Sequence, residues 1–170
     1  MGTVEIVIQD TSGRTHRAHC RRLLQQLLEA TDRSDASVAL LLAPDRAVRS
    51  LNRRYRQVDR VTDVLAFPAT GDLEPGQPHL GEIAISLPQA RRQARLAGWP
   101  LRSEMALLVT HGFLHLLGYD HELDDGTMHR LEEDLLDRVA GVHLDRRALP
   151  WGDSIAPLRR RRGGVRRTRS

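Results

Sequence analysis

Residues 105–121, MALLVTHGFLHLLGYDH, decide the fold because a continuous apolar run here carries three histidines. Its first part, Met105 to Leu117, is only 13 residues long, whereas a membrane-spanning helix needs about 20 apolar residues. We therefore expect a helix that is buried in a protein core. Gly118 follows the run, and a glycine in this place predicts the end of the helix and a change of chain direction.

Two of the three histidines share one face of this helix. His111 and His115 are four residues apart, which places their side chains next to each other. His121 comes just after the turn at Gly118 and can supply a third nitrogen. Three neutral imidazoles are typical ligands of a zinc ion that keeps a fourth position for water, whose pKa then falls to about 7. The pattern predicts a hydrolytic metal site on the helix and the following turn.

The spacing of the second histidine, the glycine and the third histidine also matches that of the metzincin proteases. In those proteases the residue after the first histidine is a glutamate, which acts as the general base. Gly112 occupies this place here, and it has no group that can carry a proton. A protease would therefore need another carboxylate near the metal, so the sequence argues against peptide hydrolysis.

The apolar patterns on both sides of this stretch predict an α+β domain. We predict strands over 4–8, 38–43, 64–67 and 83–87, helices over 15–30, 44–55, 88–97, 103–117 and 124–140, and a loop or hairpin over 70–78. The order β-α-β-α-β-β-α-α-α indicates a single domain with a mixed sheet of about four strands covered by about five helices. Ser103 and one of Asp124 and Asp125 are the predicted caps of the last two helices.

The composition excludes several kinds of site. All 26 basic residues are arginine, which excludes a phosphate-loop lysine and a Schiff-base lysine. The single cysteine, Cys20, excludes an internal disulfide framework and a multi-cysteine metal site. Aromatic residues make up 4% of the chain, so we expect any RNA contact to use arginine and shape more than a base-stacking platform.

The charge is distributed unevenly along the chain. Residues 158–170 contain seven arginines and no acid, which leaves 19 arginines against 22 acids in the rest. We therefore divide the chain into a domain over 1–157 and an arginine-rich, disordered tail over 158–170. The tail can attract phosphate backbones, or it can simply remain solvated without a specific partner.

A second basic cluster closes the predicted helix 44–55 and precedes the strand at 64–67. It reads Asn52-Arg53-Arg54-Tyr55-Arg56. Arginine binds phosphate oxygens through paired hydrogen bonds and keeps its charge. Near a metal site it can stabilise the charge of a phosphoryl transition state. The alternative is a solvated helix end, where basic side chains interact favourably with the helix dipole.

The segment from His111 to His121 resembles the signature of the YbeY family, bacterial rRNA maturation factors understood as zinc-dependent endoribonucleases. Residues 52–68 resemble the second motif of that family and Gly81-Glu82-Ile83 resembles the third, within a similarity that spans roughly 45–140. The resemblance implies one zinc ion bound by His111, His115 and His121, with Arg56 as the catalytic arginine. It also implies single-strand cleavage in 16S rRNA 3′-end processing and in ribosome quality control.

The same resemblance implies partners and a location. The expected partners are rRNA of the small ribosomal subunit, a small-subunit protein and an Era-like GTPase, with no membrane, and the expected location is the cytoplasm. Residues 1–10 lack the basic start and apolar run of a signal peptide. The chain departs from the family pattern at Val58, Arg60 and Ala66. A non-catalytic ribosome assembly factor with a structural zinc, whose site would have a fourth protein ligand, is the alternative.

Overall fold

The computed structural model describes residues 2–71, 75–121 and 123–144. The strands are β1 (Val4–Ile8), β2 (Ser37–Ala43), β3 (Val64–Pro68) and β4 (His79–Ser86), and the helices are α1 (Arg17–Ala30), α2 (Asp45–Arg56), α3 (Leu87–Ala97), α4 (Leu101–Leu116) and α5 (Thr127–Leu135). The predicted α+β class, element order and numbers of strands and helices are confirmed. The predicted tail over 158–170 lies outside the described residues.

The four strands form one mixed sheet in the order β1-β2-β4-β3. β1 pairs with β2 and β2 with β4 in parallel, while β3 pairs with β4 antiparallel. The antiparallel pair is the hairpin predicted around 70–78. β3 therefore forms one edge of the sheet, next to β4, which contains the third motif, Gly81-Glu82-Ile83.

The two faces of the sheet are covered by different helices. On one face, Leu40, Ile83 and Ile85 are fully buried in the main core, to which α1, α4 and α5 contribute. On the other face, a small cluster joins Leu65 and Ala84 of the sheet to Val48 of α2. Burying each such Leu or Ile side chain stabilises the fold by roughly 1.5–3 kcal/mol. As a consequence, α2 and α4 lie on opposite faces of the sheet.

The helix ends agree with the predicted caps in part. The N-cap of α5 is Gly126, so Asp124 does not occupy the predicted cap position. Asp124 still serves the first turn, because its side chain accepts the backbone N–H of Met128 at 2.9 Å. The prediction that Ser103 caps α4 is wrong. The carbonyl oxygen of Pro100 accepts the backbone N–H of Ser103, and α4 already begins at Leu101. Proline suits this position because its extended backbone leads directly into the first turn.

α4 approaches the sheet unusually closely at Gly112. A Cβ atom added there would lie 2.9 Å from Cγ2 of Ile83 and 3.3 Å from Cγ2 of Val64. Residue 112 thus faces the sheet, and only a glycine lets the helix come so near. The glycine of the third motif, Gly81, is equally constrained, since its φ is +128° and an added Cβ would lie 2.1 Å from the carbonyl oxygen of Phe67.

The predicted burial of α4 is confirmed, because almost all of its side chains are buried. None of the helices in the described ranges is long and apolar enough to span a bilayer.

Two polar contacts link α3 to the start of β3 and tie α4 to the loop that precedes it. Nε2 of Gln93 donates to a carboxylate oxygen of Asp63 at 2.9 Å, and Nε1 of Trp99 donates to Oε2 of Glu104 at 2.8 Å. Oε1 of Gln93 and Oε1 of Glu104 are buried and have no hydrogen-bond partner among the described residues. Burial raises the pKa of Glu104 to about 7, the negative charge of Asp63 adds to this shift, and the Trp99 hydrogen bond opposes it.

The raised pKa of Glu104 predicts a specific pH dependence of stability. Between pH 4.5, the ordinary pKa of a glutamate, and about pH 7, Glu104 keeps a proton in the folded protein that it releases in the unfolded chain. The free energy of unfolding therefore falls as the pH rises through this window, by about 3 kcal/mol at most from this group. We expect Glu104→Gln to remove that part of the slope in urea titrations.

The exposed glutamate of β1 provides the matched control. Glu5→Gln should leave the pH profile of stability unchanged, since Glu5 is exposed. A Glu104→Gln profile that runs parallel to the wild-type profile from pH 4.5 to 8 would contradict the assignment.

Candidate metal centre

The end of α4 turns the chain so that a third histidine can approach the helix. Gly118 has φ of +93°, its N–H donates to the carbonyl of His115 at 3.0 Å, and the N–H of Tyr119 donates to that of Leu114 at 3.1 Å. These two bonds form the Schellman motif, in which glycine adopts the left-handed conformation after the last helical turn. The predicted stop at Gly118 is confirmed, and His121 follows three residues later.

The three predicted histidines lie together. His111, His115 and His121 each present one ring nitrogen, and these nitrogens all lie within 4.8 Å of one another. The ring centroids are 4.7 Å apart for His111 and His115, 5.3 Å for His111 and His121, and 5.7 Å for His115 and His121. His111 is buried, whereas the other two are half-buried. The group is therefore open to solvent on the side of His115 and His121.

A buried carboxylate on α5 holds the innermost ring. Nδ1 of His111 lies 2.9 Å from Oε1 of Glu132, and neither side chain is more than 2% exposed. A carboxylate accepts a hydrogen bond from an imidazole, so the proton of His111 is on Nδ1. The lone pair of Nε2 then faces the other histidines, which is the usual arrangement of a metal-binding histidine.

His115 is held in the neutral form at ordinary pH. Burial lowers the pKa of His115 to about 4, and the neighbouring His111 and His121 rings lower it further, against smaller opposing effects from a Tyr119 backbone hydrogen bond and from Asp120. A neutral imidazole keeps the lone pair that a metal ion needs.

The donor set fits a divalent ion such as zinc. Nε2 of His115 lies 3.0 Å from Nε2 of His111, and two nitrogens on one tetrahedral zinc ion are about 3.3 Å apart. Nδ1 of His121 is buried and has no hydrogen-bond partner among the described residues. Leaving such a nitrogen unpaired costs about 1–3 kcal/mol, a cost that coordination would offset. The three histidines can therefore hold one metal ion.

Arg56, the predicted catalytic arginine, comes from a different helix than the histidines. It lies in the last turn of α2, is half-buried, and so belongs to the sheet face opposite α4. The preceding residue, Tyr55, contacts Phe67 near the end of β3, while Gly112 of α4 packs on Ile83 and Val64. Arg56 and the histidines thus flank the same edge strand, β3, from its two sides.

Other residues that the sequence brought forward have different places. Glu82 is exposed and pairs with Phe67, and the alternation of the strand directs it to the α2 face, away from the histidines. Cys20 is buried in the main core, where burial raises the pKa of its thiol to about 12. Glu122, which follows His121 directly in the sequence, lies outside the described residues.

Sequence reasoning missed two contributors to the site. Glu132 follows His111 by 21 residues, and no short motif joins the two, so only the docking of α5 reveals the contact. His129, for which the sequence predicted no role, stacks on His121 with centroids 5.3 Å apart and an interplanar angle of 22°. The sequence offers one signal for the contact of α5 with the histidines, the four-residue spacing of Met128 and Glu132. This spacing indicates one face of α5, and in the structure both residues are buried.

Proteins of known family match most of the chain. A family model described as Endoribonuclease YbeY matches residues 5–140. A Myxococcus xanthus protein named Endoribonuclease YbeY is 52% identical over 61% of this chain, and the chain spans only 36% of that protein. Proteins of the same name from Wolinella succinogenes and Thermus thermophilus are 46% and 41% identical over 64% and 72% of this chain, and 76% and 88% of their own lengths are covered.

A solved structure is similar as well. The solution structure of TM1509 from Thermotoga maritima superposes with a TM-score of 0.58 at 27% identity, covering 82% of this chain and 90% of that protein. Its likeness supports the α+β fold described above. Together with the match of the family model over residues 5–140, these similarities establish that the chain belongs to the YbeY family.

Proposed function

We propose that this protein is a zinc-dependent endoribonuclease that cleaves single-stranded RNA in rRNA maturation, at the 3′ end of 16S rRNA, and serves ribosome quality control. The observation that carries the proposal is the convergence of three imidazole nitrogens within 4.8 Å, backed by the buried contact between His111 and Glu132. The name Endoribonuclease YbeY of its relatives supports RNA as the substrate.

The residues of the chain take separate roles in this reaction. His111, His115 and His121 would hold the zinc ion, which supplies Lewis-acid chemistry for hydrolysis of a phosphodiester. Arg56 would bind the oxygens of the scissile phosphate and balance the charge that develops on them. Glu132 is fully buried and engaged with His111, so we assign it to orienting that ring.

Two alternatives are disfavoured by particular contacts. A metzincin-like protease would need a glutamate in place of Gly112, but residue 112 faces Ile83 and Val64 in the sheet, where a longer side chain has no room. A structural zinc site would normally be closed by a fourth protein ligand. The group found in the described part of the chain consists of three histidines.

The proposal extends to partners and location. We place the protein in the cytoplasm with rRNA of the small subunit, a small-subunit ribosomal protein and an Era-like GTPase as partners. The arginine-rich segment 158–170 would add a salt-dependent attraction to RNA.

Cleavage of an rRNA precursor tests the activity. We expect the zinc-loaded protein to cut a transcript that spans the 3′ end of 16S rRNA, and a chelator to abolish cutting. His115→Ala should lower the rate at least 100-fold because a ligand is lost. Arg56→Ala should lower kcat roughly 10- to 1000-fold because phosphate charge is no longer balanced. The measurement is single-turnover cleavage resolved on sequencing gels.

Matched variants guard this test against contaminants and unfolding. His143→Ala and Arg138→Ala remove an exposed histidine and an exposed arginine that pair with Asp137 and Asp134, and both should cleave at the wild-type rate. Equal rates for His115→Ala and wild type would rule out the proposal. Zinc-dependent digestion of casein without RNA cleavage would favour the protease.

The contact between Glu132 and His111 predicts a change in metal affinity. Glu132→Gln keeps the size of the side chain but removes the charge that makes Nε2 of His111 a better donor. We expect the Kd for zinc, measured by competition with a chromophoric chelator, to rise about 10- to 100-fold. Asp134→Asn changes an exposed acid on the same helix and should leave the Kd unchanged. Identical zinc affinities for Glu132→Gln and wild type would mean that Glu132 serves only packing.

A further inference from the structure

Tyr55 presents an aromatic ring to solvent beside the basic end of α2. Its side chain is 57% exposed, and in the described part of the chain it is the one aromatic residue among the exposed large apolar side chains. A single exposed aromatic side chain is common on protein surfaces, and its apolar face is also a surface on which a flat ligand can stack. The other exposed apolar side chains of this kind are aliphatic: Val7, Leu96 and Leu123.

The ring of Tyr55 is braced in position by two neighbours. Phe67 of β3 contacts it edge to face, with centroids 5.2 Å apart and an interplanar angle of 63°. The guanidinium of Arg54 lies 5.5 Å from its centroid, within the range of a cation–π interaction. A ring that is already held loses little conformational entropy when a flat ligand stacks on it.

The charge around Tyr55 favours an anionic polymer. Arg53, Arg54 and Arg56 all lie in the last turn of α2. The negative charge of the nearby Asp59 carboxylate is balanced by the Arg49 guanidinium, which donates two hydrogen bonds to it at 2.9 and 3.2 Å. Glu82 is exposed on the same sheet face beside Phe67. Because its negative charge repels phosphates, we assign the phosphates of a bound strand to the side of the Tyr55 ring that is nearer the arginines of α2.

The position of Tyr55 connects it to the metal centre. Phe67, which Tyr55 contacts, pairs with Glu82 next to Ile83, and Ile83 lies beneath Gly112 of α4. His115 is one helical turn further along α4 than His111. A strand stacked on Tyr55 would have to pass the edge strand β3 to reach the histidines, since α2 and α4 lie on opposite faces of the sheet.

We infer that Tyr55 is a nucleobase-stacking residue for single-stranded RNA, with Arg53 and Arg54 binding the adjacent phosphates. This inference rests on the proposed function, since it names the binding mode of the same substrate. It revises the expectation that RNA contacts avoid stacking: few aromatic residues are present, but one of them is exposed beside the arginines. Stacking of one base on an aromatic residue is sequence-tolerant, because every base has a π face.

Binding of a labelled oligonucleotide tests the inference directly. Fluorescence anisotropy is measured with the full-length, zinc-loaded protein and a 2′-O-methyl RNA 10-mer, whose integrity is checked on gels. Tyr55→Phe and Tyr55→Trp should bind within threefold of wild type. Tyr55→Leu keeps an apolar contact with Phe67 but offers no π face, and its Kd should rise about 5- to 50-fold. Leu96→Ala, at an exposed site on α3, should bind like wild type.

A set of oligonucleotides with one abasic position separates stacking from general attraction. For wild type, one abasic position should weaken binding more than the others, and this loss should disappear in Tyr55→Leu because both changes remove the same contact. Additive losses at every position would overturn the inference, as would an unchanged Kd for Tyr55→Leu, and the exposed ring would then be assigned to a protein contact.

The kinetics distinguish failure of this inference from failure of the proposed function. If Tyr55 stacks on substrate, Tyr55→Leu raises KM for RNA cleavage and leaves kcat within about twofold. A wild-type protein that cleaves RNA while Tyr55→Leu keeps the wild-type KM overturns the stacking role alone. A wild-type protein that neither binds nor cleaves RNA overturns the proposed function, and the stacking role with it.

Discussion

At Gly112 the backbone of α4 lies so close to the sheet that an added Cβ would come within 2.9 Å of Ile83. Protein interiors are packed as densely as organic crystals, so such an approach cannot be loosened without shifting the whole helix. The close packing fixes the rotation of α4 about its axis. His111 consequently points to α5, and His115 follows on the same face.

The helix position then determines which charges meet inside the protein. Glu132 of α5 would be costly to bury without a partner, and His111 provides one at 2.9 Å. The low pKa of His115, caused first by burial, keeps positive charge out of the group of rings. The negative carboxylate of Glu132 lies behind neutral imidazoles, so a divalent cation held by the rings would balance its charge. Binding of a metal ion by these rings would therefore be linked to the docking of α5.

The parts of the fold that follow from local sequence were predicted well. Apolar patterns with proline, glycine and capping signals predicted the four strands and the five α-helices of the described residues, and Gly118 predicted the turn that brings His121 back to the helix. Contacts between distant residues could not be predicted in this way. The strand order β1-β2-β4-β3 and the reach of Glu132 to His111 depend on how elements dock. The cap of α4 was misplaced because serine is a good cap in isolation, while Pro100 already supplies the first acceptor.

The same distinction between local signals and contacts of distant residues applies to the histidines on one side of the edge strand β3 and to the arginines of α2 on the other. The four-residue spacing of two histidines is a local signal, so the convergence of the histidines could be predicted from the sequence alone. Arg56 and Tyr55 lie on the opposite face of the sheet, and their relation to the histidines depends on the register between β3 and β4. The arginine block therefore remained ambiguous until the packing of α2 placed it beside β3.

X-ray absorption spectroscopy of the zinc-loaded protein tests the central claim most directly. The account predicts a first shell of three imidazole nitrogens at about 2.0–2.1 Å, with the multiple-scattering pattern of histidine rings, and at least one further light-atom ligand from solvent. His121→Ala should reduce the imidazole number to two. A shell that contains sulfur, or one made only of carboxylate and water oxygens, would contradict the account.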